Sequence, residues 1–147
     1  MASNGQMTGM RGVYLVAAEL SRSGFIVSPT SRNARGADLL VTDQACQKAW
    51  SVQVKTNGKA AGFWLVGEHA PKLKSESHLY VFVNLMKGDG RPEYLVVPSE
   101  QVAAKTRVDQ RATGSVWYGF HRKDWPHDGE GWELFGNPNP LGIGISN

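Results

Sequence analysis

The sequence predicts an α/β domain in which an N-terminal helix is followed by a mixed β-sheet, a β-meander and then further strands, with flanking helices. Three observations carry this expectation. One long segment near the start repeats its apolar residues at helical period, several later segments cluster β-branched and aromatic residues over strand length, and the connections between them are short and polar. Over 147 residues, 41% hydrophobic and 20% charged content matches a globular chain and excludes both disorder and a membrane protein. No apolar run approaches the roughly 20 residues that span a bilayer. The opening MASNGQMTGM lacks the basic and apolar regions of a secretory signal, so a cytoplasmic location is expected. Without an internal repeat, a low-complexity tract or a Gly/Ser linker, one domain over 1–147 with an irregular tail from about 136 is the simplest organisation.

The helix is expected from about Gly9 to Ser23. Val13, Val16, Ala17 and Leu20 recur at i, i+3, i+4 and i+7 on one stripe, and Gly24 ends it. Glu19 lies on the flank of that stripe, at the edge of the core. Phe25 to Thr30 reads as a strand closed by Pro29, and Ser31 to Gly36 as a basic loop. Ala37 to Thr42 and Trp50 to Thr56 are the next two strands, completing the meander. In the last of these Val52 and Val54 face one way and Gln53 and Lys55 the other. Further on, Phe63 to Val66 reads as a short strand and Glu68 to Ser77 as a weakly helical or irregular link. Leu79 to Leu85 reads as a buried central strand, Tyr94 to Val97 as another, and Ser99 as the cap of a helix to Lys105. From Thr113 onward Gly, Trp, Asp, His and Pro dominate, and the final NPNPLGIGISN reads as an irregular tail. The aromatic stretch Trp117 to Phe135 is expected to cover a sheet edge or a partner chain.

A turn centred between Cys46 and Gln47 pairs positions summing to about 93, which sets Asp38 opposite Lys55 and Gln53 opposite Leu40. The turn has no Asn-Gly or Asp-Gly to fix that register.

Cys46 is the only cysteine, which excludes an intramolecular disulfide and a cysteine zinc cluster. His69, His78, His121 and His127 show no metal-binding spacing. The net charge of +3, with a pI near 9.1, permits nucleic-acid binding without establishing it. Its distribution is uneven: nine basic against four acidic residues from Met1 to Lys74 give that half +5, leaving −2 for the rest. A polyanion is expected to approach the N-terminal half.

Metal-assisted phosphodiester hydrolysis needs carboxylates to hold the ion and a cation near the attacking water. Glu19 and Asp38 offer the first, with the Val54 carbonyl and a neutral oxygen from Gln53, and Lys55 offers the second. A helix bearing Glu19, then Gly36-Ala37-Asp38, then a strand through Gln53-Val54-Lys55, resembles the core of the PD-(D/E)XK nuclease superfamily, with its restriction endonuclease-like and resolvase-like branches. Closer in pattern are small bacterial proteins described as group I intron-type endonucleases, whose GxxGxYxVAAELxxxGxxV, GxDLLV, QVKT, YVFVxL and YxVVPSxxVA this chain matches from Gly9 to Ala103.

The resemblance implies a restriction endonuclease-like core and a Mg²⁺- or Mn²⁺-dependent endodeoxyribonuclease. By the same resemblance Glu19 is the helix carboxylate, Asp38 the strand acid, and Gln53 and Lys55 the ends of the (D/E)xK tripeptide. Gln53 departs from that tripeptide and removes one negative charge from the metal site. Arg32, Asn33 and Arg35 before Asp38, and Asn57, Lys59 and Lys72 after the tripeptide, are candidate phosphate contacts. Cutting a duplex takes two active sites, so a homodimer accompanies this reading. The alternatives are a catalytically inactive nucleic-acid-binding protein on the same fold and a dimeric interaction module.

Overall fold

The computed structural model describes residues 1–31 and 35–144. Helix α1 (Asn4–Arg22) begins five residues before the expected start at Gly9. Ser3 caps it in a capping box: its side chain accepts from the Gln6 amide, and Gln6 Oε1 accepts from Ser3 N at 2.8 Å. Val16 and Leu20 bury its inner stripe. Gly12 lets the helix touch the sheet, since a Cβ there would collide with Thr56 Oγ1.

The main sheet follows from β1 (Ile26–Pro29), β2 (Leu39–Thr42), β3 (Ala49–Asn57), β5 (His78–Asn84) and β6 (Glu93–Pro98), in the order β1-β2-β3-β5-β6. The expected meander is present, with β1-β2 and β2-β3 antiparallel; β3 pairs β5 in parallel and β5 pairs β6 antiparallel. Buried along its whole length, β5 occupies an interior position, as its apolar faces require.

Two cores flank this sheet. On one side Val16 and Leu20 of α1 meet Val52, Val81, Val83 and Val96. On the other, Tyr80, Phe82, Leu95 and Val97 face a second sheet of β4 (Phe63–Val66), β7 (Arg107–Gln110) and β8 (Val116–His121), in the order β4-β8-β7. Phe82 stacks on Phe120 at 4.9 Å, and Trp64 is fully buried with Nε1 donating to the Val83 carbonyl at 2.9 Å.

Four expectations are corrected. Two strands stand where none was expected, β7 and β8, and Phe120 of β8 fills the second core. The aromatic stretch ends inside the chain's own core, where Phe135 packs at 5.8 Å from both Phe25 and Trp50. Ser99 does not cap α2 (Ser99–Lys105): it is the first helical residue after Pro98, and its hydroxyl donates to the Ser75 carbonyl while accepting from Ser75 N.

The fourth correction concerns the β2-β3 register, which pairs Leu39 with Val52 and Thr42 with Ala49. Asp43 sets it. Buried at the head of the turn, its carboxylate accepts from Gln47 N at 2.9 Å and Lys48 N at 3.2 Å, and Cys46 takes a left-handed φ of 55°. One residue past the ladder, Asp38 therefore meets Gln53 instead of Lys55. The shift is by two positions, so each side chain keeps its face.

Candidate functional site

Strand β2 stops at Leu39 while β3 runs on to Asn57, leaving the outer edge of β3 without a backbone partner beyond Val52. Asp38 takes over the ladder there. Its N–H donates to the Val52 carbonyl at 2.7 Å, and its Oδ2 accepts from Val54 N and from Gln53 Nε2, each at 2.8 Å. A carboxylate thus replaces a backbone carbonyl at the point where the sheet opens. The notch broadens into a groove of about 860 Å³ with Asp38, Gln53 and Val54 in its floor, Pro29 to Ser31 on one side, and Gln6, Gly9, Met10 and Val13 of α1 on the other.

Lys55 lies two residues beyond Gln53 on the same side of β3, half-buried and in register with Phe82. Among the described residues its ammonium group has no hydrogen-bonding or ion-pairing partner, and Lys55 stands beside the groove without lining it. At the other end of that face, Ser51 Oγ and His78 Nδ1 share a hydrogen bond of 2.7 Å. Burial pushes the imidazole's pKa below its ordinary value, against the bond to the Ser51 carbonyl, which favours the protonated ring.

The structure brings Asp38, Gln53, Val54 and Lys55 together and leaves Glu19 apart. Glu19 follows Val13 by six residues, about 9 Å along the helix axis. Its carboxylate binds Arg22 at 2.8 Å on the surface. The helix positions that do wall the groove carry no acid, so Asp38 is its only carboxylate among the described lining residues. No group of three His, Cys, Asp or Glu side chains suited to a metal ion occurs among the described residues.

The expected phosphate contacts divide. Arg35, Lys59 and Lys72 are exposed, with Arg35 beside the cleft at Ser51 and His78. Asn57 has a structural task instead, its amide donating to the Phe63 carbonyl at 2.8 Å and to Asn84 Oδ1 at 3.0 Å. Arg32 and Asn33 lie outside the described residues. Sequence reading missed the helix wall, although Ser3 followed by Gln6 is a capping-box signal that places the helix start early enough to form it.

An N-terminal helix packed on a mixed sheet, with a second layer across it, is the restriction endonuclease-like and resolvase-like α/β fold. A solved structure with this fold is that of Hjc, a Holliday junction resolvase from the archaeal hyperthermophile Archaeoglobus fulgidus. The likeness has a TM-score of 0.55 at 13% sequence identity and covers 88% of this chain and 96% of that one. No family model and no curated protein matches the chain.

Proposed function

We propose that this chain is a divalent-metal-assisted endonuclease acting on DNA, with its chemistry centred on Asp38, Gln53 and Lys55. The observation that carries the reading is the notch itself: a carboxylate and an amide joined across two strands, at an open sheet edge, with a half-buried lysine two residues further on. The resolvase-like fold, the excess of positive charge in the N-terminal half and the resemblance to intron-type endonucleases support it.

Asp38, with the carbonyl oxygens of Gln53 and Val54, is a hard-oxygen donor set. It fits Mg²⁺ or Mn²⁺, because these ions retain several waters and take one or two carboxylates together with substrate oxygens. When bound, such an ion supplies Lewis-acid stabilisation of the charge that develops on the phosphoryl group. The Gln53 amide, donating to Asp38 Oδ2, orients the carboxylate. The Lys55 ammonium attracts the scissile phosphate and positions the attacking water. Glu19 has no role in this account.

A second reading has its own observation. The helix wall opposite Asp38 is uncharged, which leaves a one-carboxylate site and favours a DNA-binding protein without nuclease activity. Duplex binding at two salt concentrations, followed by incubation of the bound complex with Mg²⁺, Mn²⁺ or EDTA, separates the two. Salt-sensitive binding with metal-dependent strand breaks supports the nuclease, and binding with intact DNA under every metal establishes the silent binder. A folded chain that binds no DNA at low salt contradicts both.

A further inference from the structure

The aromatic C-terminal region has a surface that the notch does not use. Beside the far end of β3, where Asn57 holds the Phe63 carbonyl, lies a groove of about 570 Å³ between the β4-β8 edge and the segment after β8. Its walls are rings. Phe63 and His121 stack across the two strands at 5.4 Å and 22°, and Trp125 and His127 stack at 5.8 Å and 12°. Arg122 and Lys123 are exposed between the two pairs, and no carboxylate lines the groove among the described residues. The two acids close to its walls are engaged: Asp124 is held by Arg107 through two bonds of 2.9 and 2.8 Å, and Glu133 by His127 at 2.6 Å. Phe63 remains 42% exposed, so its ring is open to a stacking partner.

Flat π-faces beside cations, in a groove without acids, are what an unpaired nucleotide recognises: the base stacks and its phosphate meets a guanidinium or ammonium group. A protein segment could cover the same rings, but an unpaired nucleotide brings a flat π-face and an anion together in every repeating unit, which is the pairing these walls offer. We infer that this groove binds single-stranded DNA, so that the substrate carries unpaired nucleotides next to the duplex at the notch. The inference rests on the reading of the chain as a DNA-acting protein and adds the class of DNA it takes. The linkage is geometric. Asn57, at the end of the strand that carries Gln53 and Lys55, donates to the Phe63 carbonyl at 2.8 Å, so the groove adjoins the far end of that strand.

The test uses the full chain, a fluorescently labelled oligothymidylate and a blunt duplex, with affinity read by anisotropy. Phe63→Ala and His121→Ala each weaken oligothymidylate binding by about five- to a hundredfold, the range for losing one stacked base, and leave blunt-duplex binding unchanged. Arg122→Ala lowers the salt slope of oligothymidylate binding by about 0.7, the value for one lost phosphate contact on a single strand. Thermal melting of each variant confirms that it is folded. Wild-type oligothymidylate affinity in both ring variants, or a folded wild-type chain that does not bind the oligomer, overturns the inference. Failure of the nuclease reading looks different, since DNA would then stay uncut while the ring variants still lost single-strand affinity.

Discussion

Replacing Asp38 separates the structural part of the notch from its chemical part. Asp38 Oδ2 is the acceptor for Val54 N–H, a backbone donor on an otherwise unpaired strand edge, and for the Gln53 amide, both at 2.8 Å. In Asp38→Ala both donors lose a charged acceptor at a half-buried position. A hydrogen bond to a charged group contributes about 1.5–3 kcal/mol when fully desolvated, and water entering the open notch recovers part of that, so the net loss is about 1–2 kcal/mol. For a chain of this size that lowers Tm by roughly 3–8 °C. In Asp38→Asn the amide oxygen takes the place of Oδ2 and still accepts from both Val54 N–H and the Gln53 amide, so only the charge is lost and the cost falls to about 0.5 kcal/mol. Urea unfolding and calorimetry read the difference. The reasoning is refuted if Asp38→Ala melts with the wild type, or if Asp38→Asn falls as far as Asp38→Ala. Asp38→Asn is therefore the variant for testing activity, because it removes the charge while keeping the ladder.

Three further predictions bear on the helix and the core. Val13→Glu sets a second carboxylate on the helix wall facing Asp38, and is expected to lower the Mn²⁺ concentration for half-maximal nicking by about tenfold, because affinity follows the number of charged ligands; an unchanged requirement would place the metal elsewhere. Gly12→Ala forces α1 away from β3, since the added Cβ would stand 2.8 Å from the Thr56 Cβ, and is expected to cost about 3 kcal/mol or more by urea unfolding. His78 makes stability depend on pH. Its folded pKa lies below its unfolded value because burial disfavours the charged ring, so the unfolded chain binds the extra proton and stability falls as pH drops through the ordinary histidine value of about 6.5. Tm at pH 5.5 is expected below Tm at pH 7.5, with a smaller gap in His78→Gln; an equal gap in the variant would assign the effect to other groups.

Much of the fold was legible because local pattern and tertiary packing agree there. Val16 and Leu20 of the predicted stripe are buried on α1 with Val13 and Ala17 partly buried beside them, and the alternation of Val52 and Val54 with Gln53 and Lys55 survives in β3. The register was less legible because its determinant is the Asp43 carboxylate folding back on Gln47 and Lys48, a contact five residues long with no turn signature of its own. Strands β7 and β8 were hidden for a different reason. Arg107–Gln110 is an exposed edge with no apolar face, and Val116–His121 contains Gly119, so only the long-range stacking of Phe120 on Phe82 defines that layer. Glu19 misled because a carboxylate on the flank of a helix is near the sheet in projection. The groove selects by position along the axis as well, and its helix wall is built from residues 6 to 14.

The central claim is that Asp38, Gln53 and Lys55 form a phosphodiester-cleaving centre. The most direct measurement is nicking of supercoiled plasmid by the full chain with Mg²⁺ or Mn²⁺ against EDTA, comparing wild type with Asp38→Asn, Lys55→Ala and Glu19→Gln. The account predicts metal-dependent nicking by wild type and Glu19→Gln, and its loss in Asp38→Asn and Lys55→Ala at protein levels that still bind the plasmid. Nicking that persists in Asp38→Asn, or is lost in Glu19→Gln, contradicts it, as does a plasmid left intact by the wild type under both metals.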